Sequence, residues 1–107
     1  MAISYNFLGN THKSLGNIQK SLKFYEDYSR LENELADADP QNVEFKNNLA
    51  ISYIKLGLIH GKMQKPAKTQ HYYQLSAKLL SELVQAFPDY VEFKRNLKWV
   101  EEKLAEK

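Results

Sequence analysis

A run of lysines without acids is the clearest chemical feature of this chain. Six lysines and no acidic residue occur between Lys46 and Lys78, although the net charge of all 107 residues is only +2. A cluster of ammonium groups attracts acidic partners and speeds their encounter. The alternative is an ordinary solvated surface, or a complement to residues 21–45, which carry seven acids and two basic residues. Four of these lysines would meet at one helix–turn–helix corner: Lys55, Lys62, Lys65 and Lys68.

The same lysines would also attract phosphate groups. Proteins that bind single-stranded nucleic acid usually add exposed aromatic rings on which the bases stack. The tyrosines of this chain fall mostly at the spacing of a helical core. We therefore expect a protein or peptide partner that carries acidic groups, rather than nucleic acid.

Histidines are the candidate metal ligands. His60 and His71 lie on either side of a predicted turn at residues 63–65 and could approach each other. A zinc site would need a third ligand, and no nearby Asp, Glu or Cys offers one. We interpret His12 and His60 as core or groove residues. The sequence predicts no metal and no cofactor.

No residue pattern indicates catalysis. The sequence has no nucleophile with a base at meaningful spacing, no glycine-rich phosphate loop and no paired carboxylates in a predicted cleft. It also has no cysteine, which excludes disulfides and thiolate metal sites. No apolar run approaches the ~18–20 residues that span a bilayer, and the start does not resemble a signal peptide. We expect a cytoplasmic protein that is not an enzyme and has no membrane partner.

An internal repeat organises the elements that must position these residues. Leu49–His60 reads LAISYIKLGLIH, and Met1–His12 reads MAISYNFLGNTH. A shift of 48 residues aligns the chain with itself without a gap from Ala2 to Leu97. Self-similarity at a fixed period of a few tens of residues is typical of repeat architectures. Several pairs are identical: Tyr5/Tyr53, Leu8/Leu56, Gly9/Gly57, His12/His60, Tyr25/Tyr73, Pro40/Pro88 and Phe45/Phe93.

Apolar spacing predicts five helices, over residues 2–15, 18–38, 40–62, 66–87 and 89–105. A glycine and an asparagine end the first helix, Pro40 and Pro66 open the third and fourth helices, and Pro88 marks the break before the fifth. The fifth helix departs from its copies, because Glu101, Glu102 and Glu106 would face the position of a sixth helix. Repeat proteins need a polar terminal face, so we interpret this helix as a C-terminal cap.

The spacing Tyr5-x-x-Leu8-Gly9-x-x-His12 resembles the tetratricopeptide repeat (TPR) family. The resemblance implies an all-α right-handed solenoid of antiparallel helix pairs, with a truncated first repeat (1–40), a second repeat (41–88) and a capping helix (89–107). The period of 48 rather than 34 implies that both helices of a pair are longer by about two turns. The first copy continues with Gly16, Ser21 and Tyr25, and the second copy matches with Tyr53, Leu56, Gly57, His60, Thr69 and Tyr73.

One departure concerns the tight turn between the helices of a pair. Gln64 stands in the second copy where the first copy has Gly16. We therefore expect that turn to close in a different way.

TPR proteins are binding scaffolds, in which the first helix of each pair lines a concave face that takes an extended peptide or a helix. Their clamp for a terminal carboxylate is not matched, because Asn6 stands where a lysine is needed. For Ile54 and Leu58 the alternative is packing in the interior. Carried onto this chain, the concave face would include Asn6, Asn10, Lys13, Ile54, Lys55, Leu58 and Lys62.

Two hypotheses for function follow. The first is a non-catalytic protein–protein interaction module that binds an acidic peptide or helix on the concave face. Ile54 and Leu58 would supply apolar contacts, and Lys55 and Lys62 would supply charge. The second is an assembly element that self-associates through its uncapped first helix. It would form a homodimer, with Tyr5, Phe7 and Leu8 at the seam.

Overall fold

A computed structural model of the protein describes residues 17–106. This part of the chain contains four helices and no strand, which confirms the all-α prediction. The first of the five predicted helices, over residues 2–15, lies outside the described residues. The four helices are α1 (Ile18–Ala38), α2 (Val43–Lys62), α3 (Pro66–Ala86) and α4 (Val91–Ala105).

The helices following Pro40 and Pro88 start later than predicted. The Asn42 N–H donates to the Asp39 carbonyl oxygen (3.0 Å), and the Tyr90 N–H donates to the Phe87 carbonyl oxygen (3.2 Å). Each proline thus lies within a tight turn, and helix α2 begins three residues after its proline. The prediction that Pro40 opens its helix is therefore wrong, and the last helix begins at Val91 rather than at the predicted Asp89, whereas Pro66 is the first residue of α3 as predicted.

The turn between α2 and α3 closes without a glycine. Gln64 adopts a positive φ of 59°. The Gln64 N–H donates to the Gly61 carbonyl oxygen (3.1 Å), and the Lys65 N–H donates to the His60 carbonyl oxygen (2.9 Å). This pair of bonds is the Schellman arrangement, which satisfies the last carbonyl groups of a helix. A side chain in this region costs about 1–2 kcal/mol relative to glycine, so the turn is strained but fully hydrogen-bonded.

Helix α2 packs between α1 and α3, and α3 packs between α2 and α4. One core cluster joins α2, α3 and α4, and a smaller one joins α1 to α2 around Tyr25. Burial of these side chains supplies most of the stability, at about 25 cal/mol per Å² of apolar surface. The larger cluster contains Ala50, Tyr73, Leu80, Leu83, Phe93 and Val100, and the smaller contains Tyr25, Leu56 and Ile59.

Small residues let α2 and α3 approach closely. A Cβ atom on Gly57 would lie 2.5 Å from Cε1 of Tyr73, so only glycine fits there. The hydroxyl of Thr69 donates to the Gly57 carbonyl oxygen (3.2 Å), and that of Ser76 donates to the Ala50 carbonyl oxygen (2.9 Å). The contact of Ser76 with Ala50 lies farther from the turn on both helices than the contact of Thr69 with Gly57 does, so α2 and α3 are antiparallel. Gly57 therefore allows the close approach of the two helices.

Candidate partner-binding groove

An open groove of about 440 Å³ lies where the end of α2, the start of α3 and the end of α4 meet. Its floor is apolar, and two lysines and one glutamate lie along its walls. The lining residues are Leu58, Gly61, Gln64, Lys65, Pro66, Thr69, Gln70, Tyr73, Lys103 and Glu106.

Local structure fixes each wall. The Schellman turn carries Lys65 at one end of the groove, directly before Pro66. The ring of Tyr73 meets the ring of Trp99 edge-on, with centroids 5.8 Å apart, which ties the α3 wall to α4. The third wall is the last turn of α4, which carries Lys103.

Lys103 is held by two neighbours. Its Nζ lies 5.4 Å from the centroid of the Trp99 ring and 3.5 Å from Oε2 of Glu106. A cation over an indole face is attracted by the ring quadrupole. The ion pair itself is open to solvent, because the Glu106 side chain is 67% exposed. Pairs of this kind contribute little to stability, so the carboxylate partner of Lys103 can be exchanged at low cost.

The described residues of the predicted concave face lie in different environments. Leu58 lines the groove, and Lys62 is exposed one helical turn further along α2. Ile54 is half-buried and packs against the larger core cluster, so it joins helices rather than offering a free contact. Lys55 is half-buried and is not part of the groove wall.

The other predicted interface residues lie outside the described residues. For the concave face these are Asn6, Asn10 and Lys13. For the self-association seam they are Tyr5, Phe7 and Leu8. Both sets stay predictions.

Sequence reasoning missed the wall that α4 supplies. Lys103 and Glu106 are the repeat counterparts of Lys55 and Leu58, one period of 48 residues later. The same register that selected Lys55 and Leu58 therefore could have selected both. The interpretation of α4 as a cap alone leaves both residues out of the predicted concave face. Tyr73 falls at core spacing, and it lines the surface groove as well as the core.

The basic corner is present in the structure. Lys62, Lys65 and Lys68 are all exposed around the turn between α2 and α3. The fourth predicted member, Lys55, is half-buried on α2. Positive charge is therefore concentrated beside the groove.

His60 is buried beneath this corner, as predicted for a core residue. Its ring is stacked on Tyr72, with centroids 5.4 Å apart. Burial lowers the pKa of His60, and the nearby charges of Lys68 and Lys65 lower it further, while Glu26 opposes them. The residue is therefore neutral at physiological pH. Residues 17–106 contain no group of three or more His, Cys, Asp or Glu side chains that could hold a metal ion.

A second buried ionisable group lies between α1 and α2. Glu32 is only 3% exposed, and one of its carboxylate oxygens, Oε2, has no hydrogen-bond partner. Burial raises the pKa of Glu32, and a hydrogen bond with the side chain of Asn48 partly offsets that rise. Burial and the neighbouring Glu32 together raise the pKa of Tyr28 to about 12. This group is far in sequence from the groove and belongs to the packing of α1.

Comparison with known proteins adds no relative. The chain matches no protein-family model, and the searches of curated proteins and of solved structures give no match either. Among residues 17–106, no helix combines the length and the apolar character needed to cross a bilayer.

Proposed function

We propose that this chain is a non-catalytic protein–protein interaction module that binds an acidic peptide or helix in the groove between α2, α3 and α4. The observation that carries the proposal is the composition of that groove. Leu58 and Tyr73 form an apolar floor between two ammonium groups, those of Lys65 and Lys103. The exposed Lys62 adds positive charge, and the segment from Lys46 to Lys78 contains no acid that could neutralise it.

The groove suits a segment that alternates acidic and apolar residues. A leucine-sized side chain would be buried between Leu58 and Tyr73, where removal of apolar surface from water supplies affinity. Carboxylates on either side would pair with Lys65 and Lys103. Charge at the rim of a site mainly raises the association rate and sets specificity, so binding should weaken as salt is added.

The architecture we propose for this module is a TPR-like solenoid. Two observations support it: the 48-residue repeat, and the antiparallel packing of α2 on α3. In this arrangement α4 is the C-terminal cap. The α2 residues Ala50 and Ile54 pack in the core, and their counterparts on α4 are Lys98 and Glu102, both exposed. A helix with charges at these positions does not offer an apolar stripe to a further helix.

The proposal is tested by fluorescence anisotropy with a labelled short peptide that alternates glutamate and leucine. A matched peptide with glutamine in place of glutamate measures the contribution of charge. We expect the glutamate peptide to bind more tightly, and its affinity to fall as ionic strength rises from about 0.05 M to about 0.5 M. Lys65→Glu and Lys103→Glu should each weaken binding at least about threefold.

Lys78→Glu is the matched control, because Lys78 is exposed on α3 and is not part of the groove wall. It makes the same change in net charge and should leave affinity within error of the parent chain. Equal weakening by all three substitutions would contradict the proposal, since it would show attraction to overall charge only. In a pull-down from lysate with the purified chain, material that is lost on nuclease treatment would indicate nucleic-acid binding at the basic corner instead.

A further inference from the structure

Glu106 places an acidic group inside a groove that is otherwise suited to acids. It lines the same wall as Lys103, and its Oε2 lies 3.5 Å from Nζ of that lysine. The repeat makes this position informative, because the counterpart of Glu106 on α2 is Leu58, which contacts the groove through an apolar side chain. A carboxylate therefore stands where the other copy has leucine.

We infer that Glu106 is a built-in competitor, whose carboxylate takes the contact with Lys103 that an acidic side chain of the partner would otherwise make. The inference rests on the proposed function, and it adds the residue that limits affinity and selects the partner. Burial is the main cause of the raised pKa of Tyr73 on the groove floor, and the charge of Glu106 raises that pKa further.

The contact is suited to exchange. The contact of Lys103 with the Trp99 ring does not involve Glu106, so it can still hold the ammonium group when the carboxylate leaves. The Glu106 side chain is mostly in solvent and can move away from the groove. A partner with a single acid gains little, since it replaces one carboxylate with another. A partner with several acids can also engage Lys65 and Lys62, so the competitor favours strongly acidic segments.

The test compares Glu106→Gln with Glu101→Gln, using the same glutamate–leucine and glutamine–leucine peptides. Both substitutions remove one negative charge from α4. Glu101 is exposed and is not part of the groove wall. We expect E106Q to bind the glutamate peptide about two- to fivefold more tightly than the parent chain, the range that follows from the strength of an exposed ion pair. We expect E101Q to match the parent.

The outcomes separate the two claims. If the parent chain binds the glutamate peptide and E106Q binds it no more tightly than E101Q does, the competitor is overturned and the proposed function stands. If neither the parent nor E106Q binds, both claims fail. Tighter binding by E106Q to the glutamine peptide as well would also overturn the competitor, because no carboxylate is then being exchanged. Circular dichroism spectra that coincide for the three chains verify that the helices are intact.

Discussion

Residues at equivalent repeat positions differ in polarity between two regions of the molecule. One region is the joint between α1 and α2, and the other is the core around α3. Glu32 on α1 and Leu80 on α3 are separated by one period, and both are buried, at 3% and 0% exposure. Leu80 belongs to the larger core cluster, whereas Glu32 leaves one oxygen without a partner. The same backbone arrangement therefore tolerates either group, but a buried carboxylate weakens the joint that contains it.

The two turns that carry the repeated proline differ in a similar way. The side chain of Asn42 accepts a hydrogen bond from the Phe45 N–H (3.1 Å) and caps α2, but its counterpart Tyr90 makes no such bond to α4. Tyr90 is 52% exposed, and its ring stacks on Phe93 instead, with centroids 5.0 Å apart. The second copy thus has the better core and the poorer helix start.

The largest expected effect is at the better-packed position. Leu80→Ala should lower the free energy of unfolding by about 2–5 kcal/mol, because it removes buried methyl groups and leaves a cavity. Urea denaturation followed by circular dichroism measures the change. Glu32→Ala at the equivalent position should cost far less, and a loss as large as that of L80A would contradict the contrast between the two joints.

Gly57→Ala should also destabilise the protein, by about 1–3 kcal/mol. The added Cβ would come within 2.5 Å of the Tyr73 ring, which is buried and packed against Trp99, so the helices must move apart. Gly61→Ala is the control in the same helix, since its Cβ would meet only Thr69 Oγ1 at 3.6 Å. It should be stabilising by up to about 1 kcal/mol through helix propensity. Destabilisation of both variants alike would indicate that close approach is not the cause.

Glu32→Leu places on α1 the residue type that stands at the equivalent position of α3, Leu80. It should raise the free energy of unfolding at neutral pH by roughly 1–3 kcal/mol. The folded-state pKa of Glu32 is raised above its ordinary value of 4.5, so the stability linked to its protonated form is present below that value. It is lost as the pH rises through the raised pKa. The advantage of E32L over the parent should therefore grow as the pH rises from about 4.5 through the raised pKa of Glu32. The loss caused by Leu80→Ala, which changes no ionisable group, should show no such trend.

The smallest effect is expected at the helix starts. Asn42→Ala should cost about 1 kcal/mol, because α2 loses its side-chain cap. Tyr90→Phe should change stability by less than that, since the tyrosine hydroxyl does not cap α4. Thermal unfolding of the two variants beside the parent measures both. An equal loss in Y90F would show that the two helix starts are not different after all.

Much of the helical pattern could be predicted from the sequence. The range 18–38 matches α1, and α2, α3 and α4 were all expected. The starts of α2 and α4 were wrong because a proline is compatible both with the first turn of a helix and with the turn before it. The shape of the turn at Gln64 could not be predicted, since hydrogen bonding rather than residue type holds it there.

The site was predictable only in part. Helix α2 is apolar nearly all round, so periodicity alone does not say whether Ile54 or Leu58 is free. Only the packing of α4 separates them, placing Leu58 in the groove and Ile54 against the core. Lys103 and Glu106 become wall residues because the end of α4 lies beside the turn between α2 and α3, a proximity that no local pattern encodes.

The most direct measurement is a titration of the isotope-labelled chain with the glutamate–leucine peptide, followed by NMR chemical-shift mapping. If the groove binds the peptide, we expect saturable chemical-shift changes at Leu58, Gly61, Lys65, Tyr73 and Lys103. These changes should become smaller as salt is added. Shifts confined to the opposite groove between α1 and α3, around Arg30 and Tyr72, would contradict it. So would the absence of any saturable shift.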